Sequence, residues 1–171
     1  MSVKNNANEY FQKGMEEFVG HNYGRSIELL SRALDIDPDH KLASMSRGAA
    51  YLKLDRSLDA IDDFNRVLEI DSEYARAWHL RGLAREKTGD DDAALNDFNR
   101  AIELDPEYGA AYFSRATLFT KMGDTDRATE DAQMVTHLTE LNIQTFAEEN
   151  NIWRSHHLKL EQEGIADPMD R

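Results

Sequence analysis

The side chains best suited to chemistry are carboxylates, and no cluster of them completes a site. Asp35, Asp37 and Asp39 alternate like the first three ligands of a calcium loop. Such a loop needs glycine at its sixth position and glutamate at its twelfth, where His40 and Ser46 stand. Asp90-Asp91-Asp92 has the character of a helix cap with acids facing the positive end of the helix dipole. His156 and His157 are neighbours, so on a helix they point about 100° apart and not along one face, as paired ligands would. There is no cysteine, which excludes a disulfide framework, a thiolate metal site and a cysteine nucleophile. No glycine-rich phosphate loop, nucleophile elbow or His–carboxylate constellation is present. The sequence therefore predicts no enzyme, no cofactor and no metal.

Other charged residues recur. Arg47, Arg81 and Arg115 are followed sixteen residues later by Asp63, Asp97 and Asp131. Two helices packed face to face would bring each Arg near an Asp, within one unit or across to the next. A charged binding stripe is one reading; structural ion pairs are the preferred one, because partly buried pairs are costly to break. Lys53, Lys87 and Lys121 recur at the same interval of 34 residues.

The elements that position these residues repeat with that period, without gaps. Gly14, Gly48, Gly82 and Ala116 share a phase at which a small residue permits close helix packing. Tyr10, Ser44, Trp78 and Tyr112 share another, as do Ser26, Ala60, Ala94 and Ala128. Leu30, Phe64, Phe98 and Ala132 form a mostly large position, with Ala33, Val67, Ala101 and Val135 three residues on. Pro38 and Pro106 close two units; Ser72 and Glu140 stand in the others.

The pattern resembles the tetratricopeptide repeat family, whose motif runs W-x2-L-G-x2-Y, then A-x3-F, then P. Trp78, Gly82, Ala94, Phe98, Ala101 and Pro106 match it in one unit and Tyr51 in another, while Lys13, Arg47, Arg81 and Arg115 replace the leucine before the small residue. The resemblance implies an all-α, right-handed superhelical solenoid of helix–turn–helix units that binds other proteins. Four repeats are expected, over 7–40, 41–74, 75–108 and 109–142, after a flexible N-terminus over 1–6. The first helix is predicted from about Asn8 to Val19 and the second from about Tyr23 to Asp35. Glycine is expected to end the first helices of the third and fourth units, at Gly89 and Gly123, with Asp90 and Asp124 capping the helices that follow. A capping helix is predicted over 143–163, burying Ile143, Phe146, Ala147, Trp153 and Leu160, before a flexible tail over 164–171.

In this family the first helix of each unit lines the concave groove. Carried over by resemblance, the lining comprises Asn8, Phe11, Met15, Phe18 and Val19, then Leu42, Met45, Ala49, Leu52 and Lys53. It continues with Arg76, His79, Leu83, Glu86 and Lys87, and ends with Ala110, Phe113, Thr117, Thr120 and Lys121. Helical spacing also puts these positions on one side of each helix. Lys53, Arg76, Lys87 and Lys121 against Glu86 give the groove a net +3 inside a chain of −13. The alternative for any one of them is plain packing, or a solvated lysine complementing a helix C-terminus. Some family members grip chaperone tails with a two-carboxylate clamp of Lys, Asn and Arg. The matching positions here are Phe11, Met15, Ser46, Arg76 and Leu80, of which only Arg76 has a suitable charge.

The charge of −13 argues against nucleic acid and against an anionic membrane. The N-terminus lacks the apolar core of a signal peptide, and no run is long enough to span a bilayer. The sequence thus predicts a soluble, cytoplasmic scaffold binding a protein or peptide with apolar anchors and acidic residues. The rival is a self-assembling structural protein that uses the end faces of the stack or the C-terminal helix, a possible homo-oligomer.

Overall fold

A computed structural model gives the structure, which describes residues 3–162, with side chains over residues 6–146. Eight helices account for the regular structure in that span, with no strand. They are α1 (Val3–Val19), α2 (Tyr23–Ile36), α3 (Lys41–Lys53), α4 (Ser57–Ile70), α5 (Ala75–Thr88), α6 (Asp91–Leu104), α7 (Gly109–Met122) and α8 (Thr125–Gln162). Each packs on its neighbours in sequence, and in addition α1 touches α3, α3 touches α5 and α5 touches α7. The second helices α2, α4, α6 and α8 do not touch one another among the described residues. A stack closed up on its first helices and splayed on its second helices curves with α1, α3, α5 and α7 inside. This is an all-helical repeat solenoid.

The first three helical pairs close on a glycine. A Cβ at Gly14 would lie 2.8 Å from Leu30, at Gly48 2.7 Å from Phe64, and at Gly82 2.6 Å from Phe98. The close approach is therefore a bulky side chain of the second helix seated on the bare backbone of the first. Leu30, Phe64 and Phe98 are fully buried there, each contributing roughly 2–3 kcal/mol of apolar burial.

The turns inside the pairs also share a phase. His21, Asp55, Gly89 and Gly123, 34 residues apart, all take positive φ, between 56° and 85°. Glycine holds the left-handed conformation without cost in two of them, and an ordinary side chain tolerates it in the others. As expected, Asp90 accepts from the Ala93 N–H, and Asp124 from the Arg127 N–H.

Two expectations are corrected. α1 begins at Val3, so residues 3–6 are helical and not a flexible lead; nothing in Val3–Asn6 breaks a helix, and Ala7 is already buried. No separate helix starts at 143: α8 runs unbroken from Thr125 to Gln162, because no glycine or proline interrupts it. Ile143 and Phe146, expected on a buried side, are 63% and 68% exposed. The side chains of Ala147, Trp153, His156, His157 and Leu160, and the tail over 164–171, lie outside the described residues.

Candidate protein-binding groove

The Arg–Asp ladder is structural. Arg47 donates from Nε and Nη2 to both oxygens of Asp63, at 2.9 and 2.7 Å. Arg81 binds Asp97, and Arg115 binds Asp131, with the same two-pronged geometry. The third prong reaches back to the preceding unit: Arg47 Nη1 donates to Ser31, Arg81 to Asn65 and Arg115 to Asn99. One guanidinium thus ties a first helix to its own second helix and to the second helix before it. The sequence reading missed Ser31, Asn65 and Asn99, although their own 34-residue spacing was the signal. All three aspartates are buried, so this stripe is not offered to a partner. Burial pushes the Asp63 carboxyl up, and Arg47 opposes that.

The inner helices enclose two adjoining hollows. The first, of about 230 Å³, is walled by Phe11, Met15, Phe18, Leu42, Met45, Ser46, Ala49, Tyr74, Arg76 and Leu80. The second, of about 860 Å³, is walled by Phe18, Ala49, Leu52, Lys53, Asp55, Arg76, Leu80, Leu83, Glu86, Lys87 and Lys121. Phe18, Ala49, Arg76 and Leu80 belong to both, so the two adjoin as a channel of two parts. Of the positions expected to line a groove, His79, Ala110 and Phe113 fall elsewhere, in a hollow of about 350 Å³ against α8. His79 is buried there, its ring nitrogens engaged by the Tyr108 hydroxyl at 3.0 Å and the Ser114 hydroxyl at 2.9 Å. Burial, with Arg76 nearby, lowers its pKa to about 4. Tyr74 and Asp55 line the channel without having been expected there, while Ser46 and Leu80 reach it as clamp-matching positions.

The four cations are not equivalent. Lys87 is paired with Asp55 of the preceding turn, and Lys121 lies 2.6 Å from Asp91. Arg76 and Lys53 are exposed and make no ion pair among the described residues. The larger hollow therefore carries four cations against Asp55 and Glu86, a net +2, where the first-helix positions alone gave +3. Burial raises the Glu86 carboxyl; Lys121 opposes this and Asp91 adds to it.

Three tetratricopeptide repeat profiles match the chain, over residues 11–75, 75–108 and 98–130. The chain belongs to the tetratricopeptide repeat family. Heat shock protein STI1 of Saccharomyces cerevisiae is 38% identical over 61 residues, 34% of this chain and 10% of the yeast protein's length. This tetratricopeptide fold superposes on MamA from Desulfovibrio magneticus RS-1 with a TM-score of 0.76 at 24% identity, covering 80% of this chain and 77% of that one. It also superposes on the first tetratricopeptide domain of Spaghetti (RPAP3), bound to the HSP90 peptide SRMEEVD, with a TM-score of 0.68 at 24% identity over 70% and 95% of the two chains. These likenesses show the fold. Within it, the five clamp positions Phe11, Met15, Ser46, Arg76 and Leu80 all meet in the smaller hollow. Three of the five are apolar, and a carboxylate there would find one guanidinium.

Among the described residues, no helix is long and apolar enough to cross a membrane.

Proposed function

We propose that this tetratricopeptide chain is a non-enzymatic protein–protein interaction scaffold whose inner channel takes an extended or helical segment of a partner. The observation that carries this reading is the two-part channel, apolar at the Phe11–Met15–Met45 end and cationic toward Lys53, with Arg76 in both parts. Apolar anchors of the segment fill the smaller hollow and supply most of the affinity. Acidic residues meet Arg76 and Lys53, the two channel cations with no ion pair among the described residues, which set direction and association rate. The neighbouring structure holding an HSP90 peptide supports a peptide ligand for this groove, but the clamp positions favour an anchor-led segment over a carboxylate-led one. The net charge of −13 disfavours nucleic acid and anionic membrane as partners.

Selection of random peptides displayed on phage tests this. The expected consensus pairs one or two large apolar residues with an acid, and its binding is lost in Met15→Arg and weakened in Arg76→Glu and Lys53→Glu. Lys121→Glu, whose lysine is already paired, should weaken it less. Selected peptides without acids, bound equally by all four variants, would refute the proposal.

A further inference from the structure

The charges on the wall of the larger hollow are not all open to a partner. Lys87 is neutralised by Asp55, and Lys121 by Asp91. Once these pairs are set aside, the wall holds two cations, Arg76 and Lys53, and one anion, Glu86. Glu86 is half-buried, and its side chain makes no hydrogen bond or ion pair among the described residues. Lys121, the cation that acts on it electrostatically, is held by Asp91 at 2.6 Å.

α5 sets these charges in order. Arg76, Leu80, Leu83 and Glu86 all lie on it and all wall the larger hollow. Arg76 and Leu80 also wall the smaller, apolar hollow, whereas Leu83 and Glu86 do not. Passing along the helix from the apolar hollow, a ligand therefore meets a cation, then two leucines, then an anion. Arg76 and Glu86 are ten residues apart in sequence, or about 15 Å along the helix axis at roughly 1.5 Å per residue.

A segment lying on this wall strips water from the Glu86 carboxylate. A desolvated charge without a hydrogen bond is costly, and an acid of the ligand placed beside it adds repulsion. A purely acidic segment thus suits Arg76 and Lys53 but not the Glu86 end of the same hollow. An ammonium or guanidinium there supplies both the missing donor and the missing charge.

We propose, on the premise that the channel is the binding site, that the partner segment carries a Lys or Arg that pairs with Glu86. The segment then reads, in order along the channel, as an apolar anchor in the smaller hollow, an acid at Arg76 and a base at Glu86. Glu86 is the residue that selects such a segment over one bearing acids alone.

The test selects random peptides displayed on phage in parallel on the full chain and on Glu86→Lys, with helicity checked in both. Wild type is expected to return peptides in which the acid stands between the anchor and a Lys or Arg, at a fixed spacing. Glu86→Lys should keep the anchor and replace that base with Asp or Glu. Synthetic copies of the wild-type consensus are then titrated against wild type and the milder Glu86→Gln. Changing the peptide's base to alanine should weaken binding to wild type about tenfold or more, the value of a charge-assisted hydrogen bond, and binding to Glu86→Gln by about twofold at most. Peptides that need Met15 and Arg76 but carry no base, or a base whose loss costs the same on both proteins, would overturn the Glu86 pairing and leave the channel as the binding site. Failure to select any peptide sensitive to Met15→Arg would overturn both.

Discussion

Replacing Arg47 with alanine tests the reasoning about the ladder most sharply. Arg47 holds Asp63 with two bonds, and Asp63 is 4% exposed, with no second cation paired to it among the described residues. By contrast, Asp97 would keep Arg85 at 2.9 Å if Arg81 were removed. Stripping one partner from a buried pair costs about 3–5 kcal/mol, because the other charge is left uncompensated. The Arg47 side chain is 23% exposed, so water can partly replace it; about 3 kcal/mol is expected. With a urea slope of about 2 kcal/mol per molar, the unfolding midpoint should fall by roughly 1.5 M. A pH dependence accompanies the loss. Burial already raises the Asp63 carboxyl, and without Arg47 it rises further. An acid whose folded pKa lies above its unfolded value gains stability as pH falls toward that value, through proton uptake by the native state. The deficit of Arg47→Ala relative to wild type should therefore be largest at pH 7 and shrink as the pH is lowered toward 4. Adding Asp63→Ala to Arg47→Ala should cost little more than Arg47→Ala alone. A deficit below about 1 kcal/mol, the value of an exposed pair, or one that does not change with pH, would refute the structural role.

Two further outcomes follow from packing and burial. Gly82→Ala drives a methyl into Phe98 and should destabilise by about 1–2 kcal/mol net of the helix-propensity gain, whereas Gly24→Ala, with nothing within 4 Å, should be neutral or stabilising by up to about 1 kcal/mol; urea melts compare them. His79, held at about 4 against 6.5 for the free side chain, favours the folded state fully above about pH 6.5 and progressively less as pH falls toward 4. That is roughly 3 kcal/mol in all, and the wild-type stability minus that of His79→Gln should show the loss between those limits.

The fold was legible because a period leaves its mark at every phase: Gly14, Gly48 and Gly82 against Leu30, Phe64 and Phe98 are local pairs within one unit. The Arg–Asp pairs were legible for the same reason, being sixteen residues apart within one hairpin. The third prong to Ser31, Asn65 and Asn99 also spans sixteen residues, but backward across a unit boundary, where no family motif draws attention. The site was harder to read. Which lysines are free depends on turn residues such as Asp55, whose left-handed backbone goes with a carboxylate set against Lys87 of the next unit. His79 looked like a groove residue by its phase, yet Tyr108 and Ser114 of the following helix engage it. The end of the chain misled because Ile143, Phe146, Trp153 and Leu160 read as a buried stripe, while nothing between 125 and 162 turns the helix back.

The central claim is that ligand enters the channel of the first helices. Methionine methyl resonances report on it directly, since Met15 and Met45 line the smaller hollow while Met122 and Met134 are exposed elsewhere. With methyl-labelled protein titrated with the phage-selected peptide, the Met15 and Met45 signals should shift in proportion to occupancy while Met122 and Met134 stay in place. Shifts at Met134 or Met122, with Met15 and Met45 unmoved, would contradict the account.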